Sequence, residues 1–279
     1  MAVERLWEQE DCYFEKDGVA RIFTLNRPES MNAYTQNITD GLARAVDEVK
    51  DDLSVGALII TGAGTRAFCA GPDNRPQQSG RPQPMRGGYE DFQAVRARHR
   101  RWAILTQMLV PTIVAVNGWA IGAGLDMAMA CDILVASENA KFGYFYVKRG
   151  MVTDMGGAWY LPRAIGYHRA AEMLLTGDAW DAHEARLMGL VGKVVPPDEL
   201  IPTAVAMAER IAECQPKAVR MVKDLMYKSM DLDFEHWMDY LVLPQVTQDS
   251  DEEMVAWRAA YDTGGFKKTS RYMHEGPKL

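Results

Sequence analysis

The sequence predicts an α/β protein whose last third is all helical. Three observations carry this expectation. Apolar periodicity switches repeatedly between strand and helix, the run GALIITG (Gly56–Gly62) is apolar enough for a buried strand, and no strand pattern follows Pro196.

Taken in order, CYFEKDGVARIFTL reads as a hairpin turning at Lys16-Asp17-Gly18. The next segment places Ile38, Leu42, Val46 and Val49 on one helical face. After GALIITG, residues 75–88 hold Pro, Gly and Arg without apolar period and read as a surface loop in position to act as a lid. A helix is expected from about Tyr89 to Leu109, then the strand PTIVAVNG, a short helix opened by glycine, and the strand CDILVA. Beyond Pro196, ELIPTAVAMAERIAEC, AVRMVKDLMYKSM and DEEMVAWRAAYD are helical in pattern. This divides the chain into a core over 1–198 and a helical region over 199–279, with no repeat of fixed period.

Composition narrows the function. With 279 residues and 48% apolar composition, the chain supports a sizeable core. A net charge of −7 argues against general nucleic-acid binding, while leaving room for a local basic pocket around a phosphorylated ligand. Cys12, Cys69, Cys131 and Cys214 are too dispersed for zinc or C-x-x-C redox spacing, and the five histidines show no ligand spacing, so no metal is expected. The start MAVERLWEQED lacks the apolar stretch of a signal peptide, and no apolar run reaches the length of a membrane span. The expectation is a reduced, cytoplasmic protein without a membrane partner.

Two glycine-containing turns carry the chemistry. In AFCAGPDNRP the chain turns through Ala70 and Gly71 to meet Pro72. Such turns offer backbone N–H groups to anions, and proline has none to offer. In AVNGWAIGAGLDMAMACDI, Gly122, Ala123 and Gly124 stand where a strand gives way to a helix, so that the free N–H groups of the first helical turn point outward. Donors fixed there suit an oxyanion developing on a thioester or ester. Tight helix–sheet packing explains the same small residues equally well, with Asp126 then only complementing the helix dipole.

Together with TLNRPESMNAYT, LIITGAGTRAFCAGPDN and LPRAIGYHRAAEMLLTG, that stretch makes the chain resemble the crotonase, or enoyl-CoA hydratase/isomerase, family over essentially its whole length. The resemblance implies a core of ββα superhelical turns, a helical C-terminal region used in trimerisation, and assembly as a homotrimer or hexamer. It implies an acyl-CoA substrate whose coenzyme A is part of the substrate, with no permanently bound cofactor. It also implies two backbone N–H groups holding the thioester oxygen while acids move protons at the α and β carbons.

Residue by residue, the second oxyanion donor of the family falls on Ala123, and the first falls on Pro72, which has no N–H. The alternatives are that Ala123 acts alone, that the Asp73 N–H, the Asn74 side chain or a water replaces the donor, or that the chemistry has drifted. Family hydratases place glutamates where this chain has Asp126 and Tyr146; Asp154 matches an aspartate of family dienoyl-CoA isomerases, which also have aspartate at the Asp126 position. The resemblance thus makes Asp126, Asp154 and Tyr146 the catalytic group, with Asp126 activating water in a hydratase. A helix N-cap is the competing role for Asp154, and packing for Tyr146. Arg27, Ala70, Gly71, Asp73, Phe266 and Lys268 resemble positions around the nucleotide part of coenzyme A. The cluster Arg96–Arg101 reads either as a ribose-phosphate contact or as a solvated helix face.

Other classes remain in competition. GAGTRA (62–67) fits a dinucleotide fingerprint only if a helix starts there, and Gly71-Pro72 speak against one. A non-catalytic acyl-CoA binder or assembly protein on the same fold is favoured by Pro72 and Tyr146. A thioester or C–C hydrolase variant is the further alternative.

Overall fold

Residues 3–73 and 87–262 are described by the computed structural model of the chain. β1 (Glu4–Gln9), β2 (Cys12–Asp17) and β3 (Ala20–Leu25) form an antiparallel meander, with Gly18 at φ +56° in the expected hairpin turn. α1 (Gln36–Val49) starts at Thr35, whose hydroxyl accepts from the Ile38 N–H, and it buries Ile38, Leu42, Val46 and Val49.

Three successive turns of chain then repeat one plan. β4 (Ala57–Gly62) runs into the short β5 (Ala67–Cys69) before the helices α2 (Tyr89–His99) and α3 (Ala103–Gln107). β6 (Thr112–Val116) runs into β7 (Trp119–Ile121) and α4 (Ala123–Met129). β8 (Ile133–Ser137) runs into β9 (Lys141–Gly143) and α5 (Gly157–Ile165). Next come α6 (Tyr167–Thr176), β10 (Ala179–Asp181), α7 (Ala182–Leu187) and β11 (Lys193–Val195). The long strands build one sheet in the order β1-β2-β3-β4-β6-β8-β11, parallel from β3 onward; the short ones build a second in the order β10-β9-β7-β5. This is the expected ββα superhelix. The second sheet escapes sequence reading because three residues are too few to show alternation.

The single helix expected over 89–109 is two. Between them Trp102 is buried and donates its indole N–H to the Ala123 carbonyl at 3.1 Å, an anchor that a straight amphipathic helix would not provide.

Both faces of the large sheet are covered, which is why its central strands are apolar throughout. Leu58 and Ile60 of β4 face one core; Ala57 and Ile59 face a second core, shared with Leu200, Ala204 and Ala208 of α8 (Leu200–Ala212). Gly56 lets α8 come close, since a Cβ there would lie 2.4 Å from the Ala208 carbonyl oxygen. The chain accordingly divides at Glu213/Cys214 rather than at 198/199, because α8 buries its apolar side on the sheet.

The second unit holds α9 (Pro216–Asp231), α10 (Phe234–Ser250) and α11 (Glu252–Asp262). Trp237 ties α10 to α9 through its indole N–H on the Leu225 carbonyl at 2.9 Å. Pro244 lies inside α10, a helix the sequence pattern does not announce.

Candidate active site

The turn after β5 is zipped to the strand-like residue Tyr34. The Tyr34 N–H donates to the Gly71 carbonyl at 2.9 Å, and the Asp73 N–H donates to the Tyr34 carbonyl at 3.0 Å, with Pro72 between them. Gly71 takes φ +90°, a conformation glycine adopts without strain. Since the Asp73 N–H is committed to Tyr34, it cannot stand in for the donor that Pro72 lacks. Asn74 lies outside the described residues.

This turn abuts the start of α4. A Cβ on Gly71 would sit 3.8 Å from the Ala123 nitrogen, and a Cβ on Gly124 would strike the Cys69 carbonyl oxygen at 2.2 Å. The small residues therefore permit close packing, and they also bring Ala70–Pro72 and the Ala123 N–H to one place. Gly122, at φ +52°, caps the helix, so Ala123 is its first residue and its N–H has no acceptor one turn back.

One turn into α4, Asp126 is fully buried. Its Oδ1 accepts from the Tyr144 hydroxyl at 2.8 Å, and its Oδ2 lies 3.5 Å from the Tyr146 hydroxyl. Burial pushes its carboxyl up to about 7; the Tyr144 hydrogen bond opposes that shift, and the negative charge of Asp154 adds to it. Tyr146 donates to Asp154 Oδ1 at 2.9 Å, so one hydroxyl stands between two carboxyl groups. Burial and both aspartates raise the Tyr146 phenol, keeping it a proton donor rather than a base.

Glycines make room for this cluster. A Cβ on Gly122 would crowd the Tyr146 ring at 3.2 Å, and one on Gly157 would reach Asp126 Oδ1 at 2.7 Å. Asp154 is not a cap: α5 begins after Gly156 without any side-chain cap. Its side chain is 15% exposed, with Arg98 Nε 4.0 Å from Oδ2.

The cofactor expectations fare differently. Arg27 is buried, with Nε 3.1 Å from Asp11 Oδ1 and Nη1 donating to Asp73 Oδ2 at 2.9 Å and to the Ala33 carbonyl at 2.6 Å. Its charge is neutralised inside the protein, so Arg27 and Asp73 form a strut under the Pro72 turn rather than a phosphate site. Phe266 and Lys268 lie outside the described residues. Gly62–Ala67 leads into β5, not a helix, which removes the dinucleotide reading. Among the described residues no helix is long and apolar enough to cross a membrane, and no cluster of three His, Cys, Asp or Glu could hold a metal ion.

Sequence reasoning missed Tyr144 and Arg98. Tyr144 sits two residues before Tyr146 in FGYFYVKRG with nothing to mark it as a partner of Asp126; Arg98 was indistinguishable from its neighbours in RARHRR.

Residues 15–241 match the family model described as enoyl-CoA hydratase/isomerase. The chain is 37% identical over 252 residues to a crotonyl-CoA hydratase of Syntrophomonas wolfei, covering 89% of this chain and 95% of that protein. It is 36% identical over 241 residues to an (E)-benzylidenesuccinyl-CoA hydratase of Thauera aromatica, covering 85% and 90%. The crystal structure of an enoyl-CoA hydratase/isomerase from Cupriavidus metallidurans superposes with a TM-score of 0.84 at 27% identity, covering 93% of this chain and 96% of that one.

Proposed function

The chain belongs to the enoyl-CoA hydratase/isomerase family, and we propose that it adds water across the double bond of an enoyl-CoA thioester, with Asp126 and Asp154 as its proton-handling pair. The observation that carries this is the Tyr146 hydroxyl set between the two carboxyl groups, with its ring against Gly122, the residue before Ala123. Environments that separate two acids in role allow one to give a proton and the other to take one.

Asp154, the more exposed carboxylate and the one beside Arg98, takes a proton from water as its oxygen bonds to the β carbon. The π electrons move toward the thioester carbonyl, and the Ala123 N–H stabilises the resulting enolate oxygen. Asp126, whose carboxyl stays protonated up to about 7, returns a proton to the α carbon. This assigns Asp126 the acid's part, the reverse of the water-activating role the sequence suggests. Tyr144 and Tyr146 orient the pair. Coenzyme A enters and leaves as part of the substrate. Ala70 and Gly71 line the turn beside the thioester, and α9–α11 provide the contact surface of a homotrimer or hexamer.

Tyr146 also supports a second reading. Because it links two carboxyl groups, a proton removed at one could be returned from the other, moving a double bond without adding water. A panel of enoyl- and dienoyl-CoA thioesters tests both. Hydration is expected with enoyl substrates and is expected to fall sharply in Asp126→Asn and Asp154→Asn; coenzyme A binding without any turnover would instead indicate a binding protein.

A further inference from the structure

We propose that Arg98 is a catalytic residue that holds the attacking water against Asp154; this rests on the hydration reading above. Arg98 lies in the last turn of α2, and its Nε–H is buried without an acceptor among the described residues. A buried donor of this kind needs an explanation, because nearly all such groups are paired. Asp154 Oδ2 is 4.0 Å away: close enough for charge attraction, too far for a hydrogen bond.

That separation fits one small molecule. Hydrogen bonds of about 2.9 Å from Nε and about 2.8 Å to a carboxylate oxygen span the gap when they meet at roughly a right angle. A water placed there accepts from Arg98 and donates to Asp154. The two carboxylate oxygens are then divided in use: Oδ1 accepts from Tyr146 at 2.9 Å, and Oδ2 faces Arg98. The arrangement leaves one water lone pair bound by Arg98 and another free for the β carbon.

In the reaction, one water O–H bond breaks and its proton goes to Asp154 Oδ2. The oxygen lone pair forms the new C–O bond, and the π pair moves into the enolate. Arg98 gives and takes no proton; its planar, fixed N–H fork sets the direction of the lone pair.

The test compares Arg98→Met and Arg98→Lys with wild type in two reactions. One is hydration of crotonyl-CoA. The other is exchange of the α protons of butyryl-CoA in heavy water, which uses thioester binding and proton transfer at the α carbon but adds no water. For Arg98→Met, hydration kcat is expected to fall on the order of 100-fold, while KM and the exchange rate stay within about threefold of wild type. Arg98→Lys is expected to recover part of the loss, since an ammonium can still donate to water. Unchanged hydration in Arg98→Met would overturn the proposal, as would exchange falling in step with hydration, which would make Arg98 a support of the site as a whole. If wild type hydrates no enoyl-CoA, the hydration reading fails and takes this proposal with it.

Discussion

The Tyr144 hydroxyl donates to Asp126 Oδ1 at 2.8 Å, and both side chains are fully shielded from solvent. The bond favours the charged carboxylate while burial favours the neutral acid, and burial prevails. Removing the hydroxyl with Tyr144→Phe should raise the Asp126 pKa further. If Asp126 acts as the acid, activity declines as pH rises through its pKa, so the alkaline limb of the kcat/KM profile should move to higher pH in the mutant. A shift to lower pH would contradict the assigned role.

The same burial has a stability consequence. A carboxyl held up to about 7 in the folded protein binds a proton that the unfolded chain releases near 4, so folding stability falls as pH rises between those values. Asp126→Asn removes this loss. Its melting temperature relative to wild type should therefore increase from pH 4 to pH 8 while hydration is abolished. A difference independent of pH would show that Asp126 has an ordinary pKa.

Arg27 should prove structural. Its side chain is 7% exposed, and its guanidinium pairs with both Asp11 and Asp73. Arg27→Met leaves the buried Asp73 and the half-buried Asp11 without their cation and should cost about 3–5 kcal/mol in denaturant unfolding. A stable variant with weakened coenzyme A affinity would restore the phosphate-binding role.

Pro72→Ala tests the oxyanion hole. The flanking Gly71 carbonyl and Asp73 N–H are both bonded to Tyr34, so the turn should keep its shape and gain one N–H. A rise in kcat/KM of about tenfold, equivalent to about 1.4 kcal/mol, is expected. No change would show that another donor already serves the thioester oxygen.

The exposed Val242, Leu243 and Val246 of α10 should lie in subunit contacts. Light scattering should give a trimer or its multiple for wild type, and a smaller species for Leu243→Asp.

Much of this architecture was legible in the residues themselves. The hairpin at Gly18, the buried face of α1 and the strand GALIITG follow from periodicity that burial enforces. The two small-residue turns at Gly71 and Gly122–Gly124 were legible one by one, while their meeting was implied only by the family resemblance and appears in the fold. What could not be read was contact at a distance. Arg27 stands at a position that resembles the family's contact to the coenzyme A nucleotide, and only the fold brings Asp11 and Asp73 to it. Tyr144 and Arg98 likewise gain meaning from Asp126 and Asp154, which no local pattern ties to them.

Mass analysis of the product formed from crotonyl-CoA in oxygen-18 water tests the central claim most directly. Hydration through the Asp126–Asp154 pair requires a product heavier by one labelled water, with the label on the β carbon and the thioester intact, and its loss in Asp154→Asn. A product of unchanged mass, or free coenzyme A with the label in a carboxylate, would contradict it.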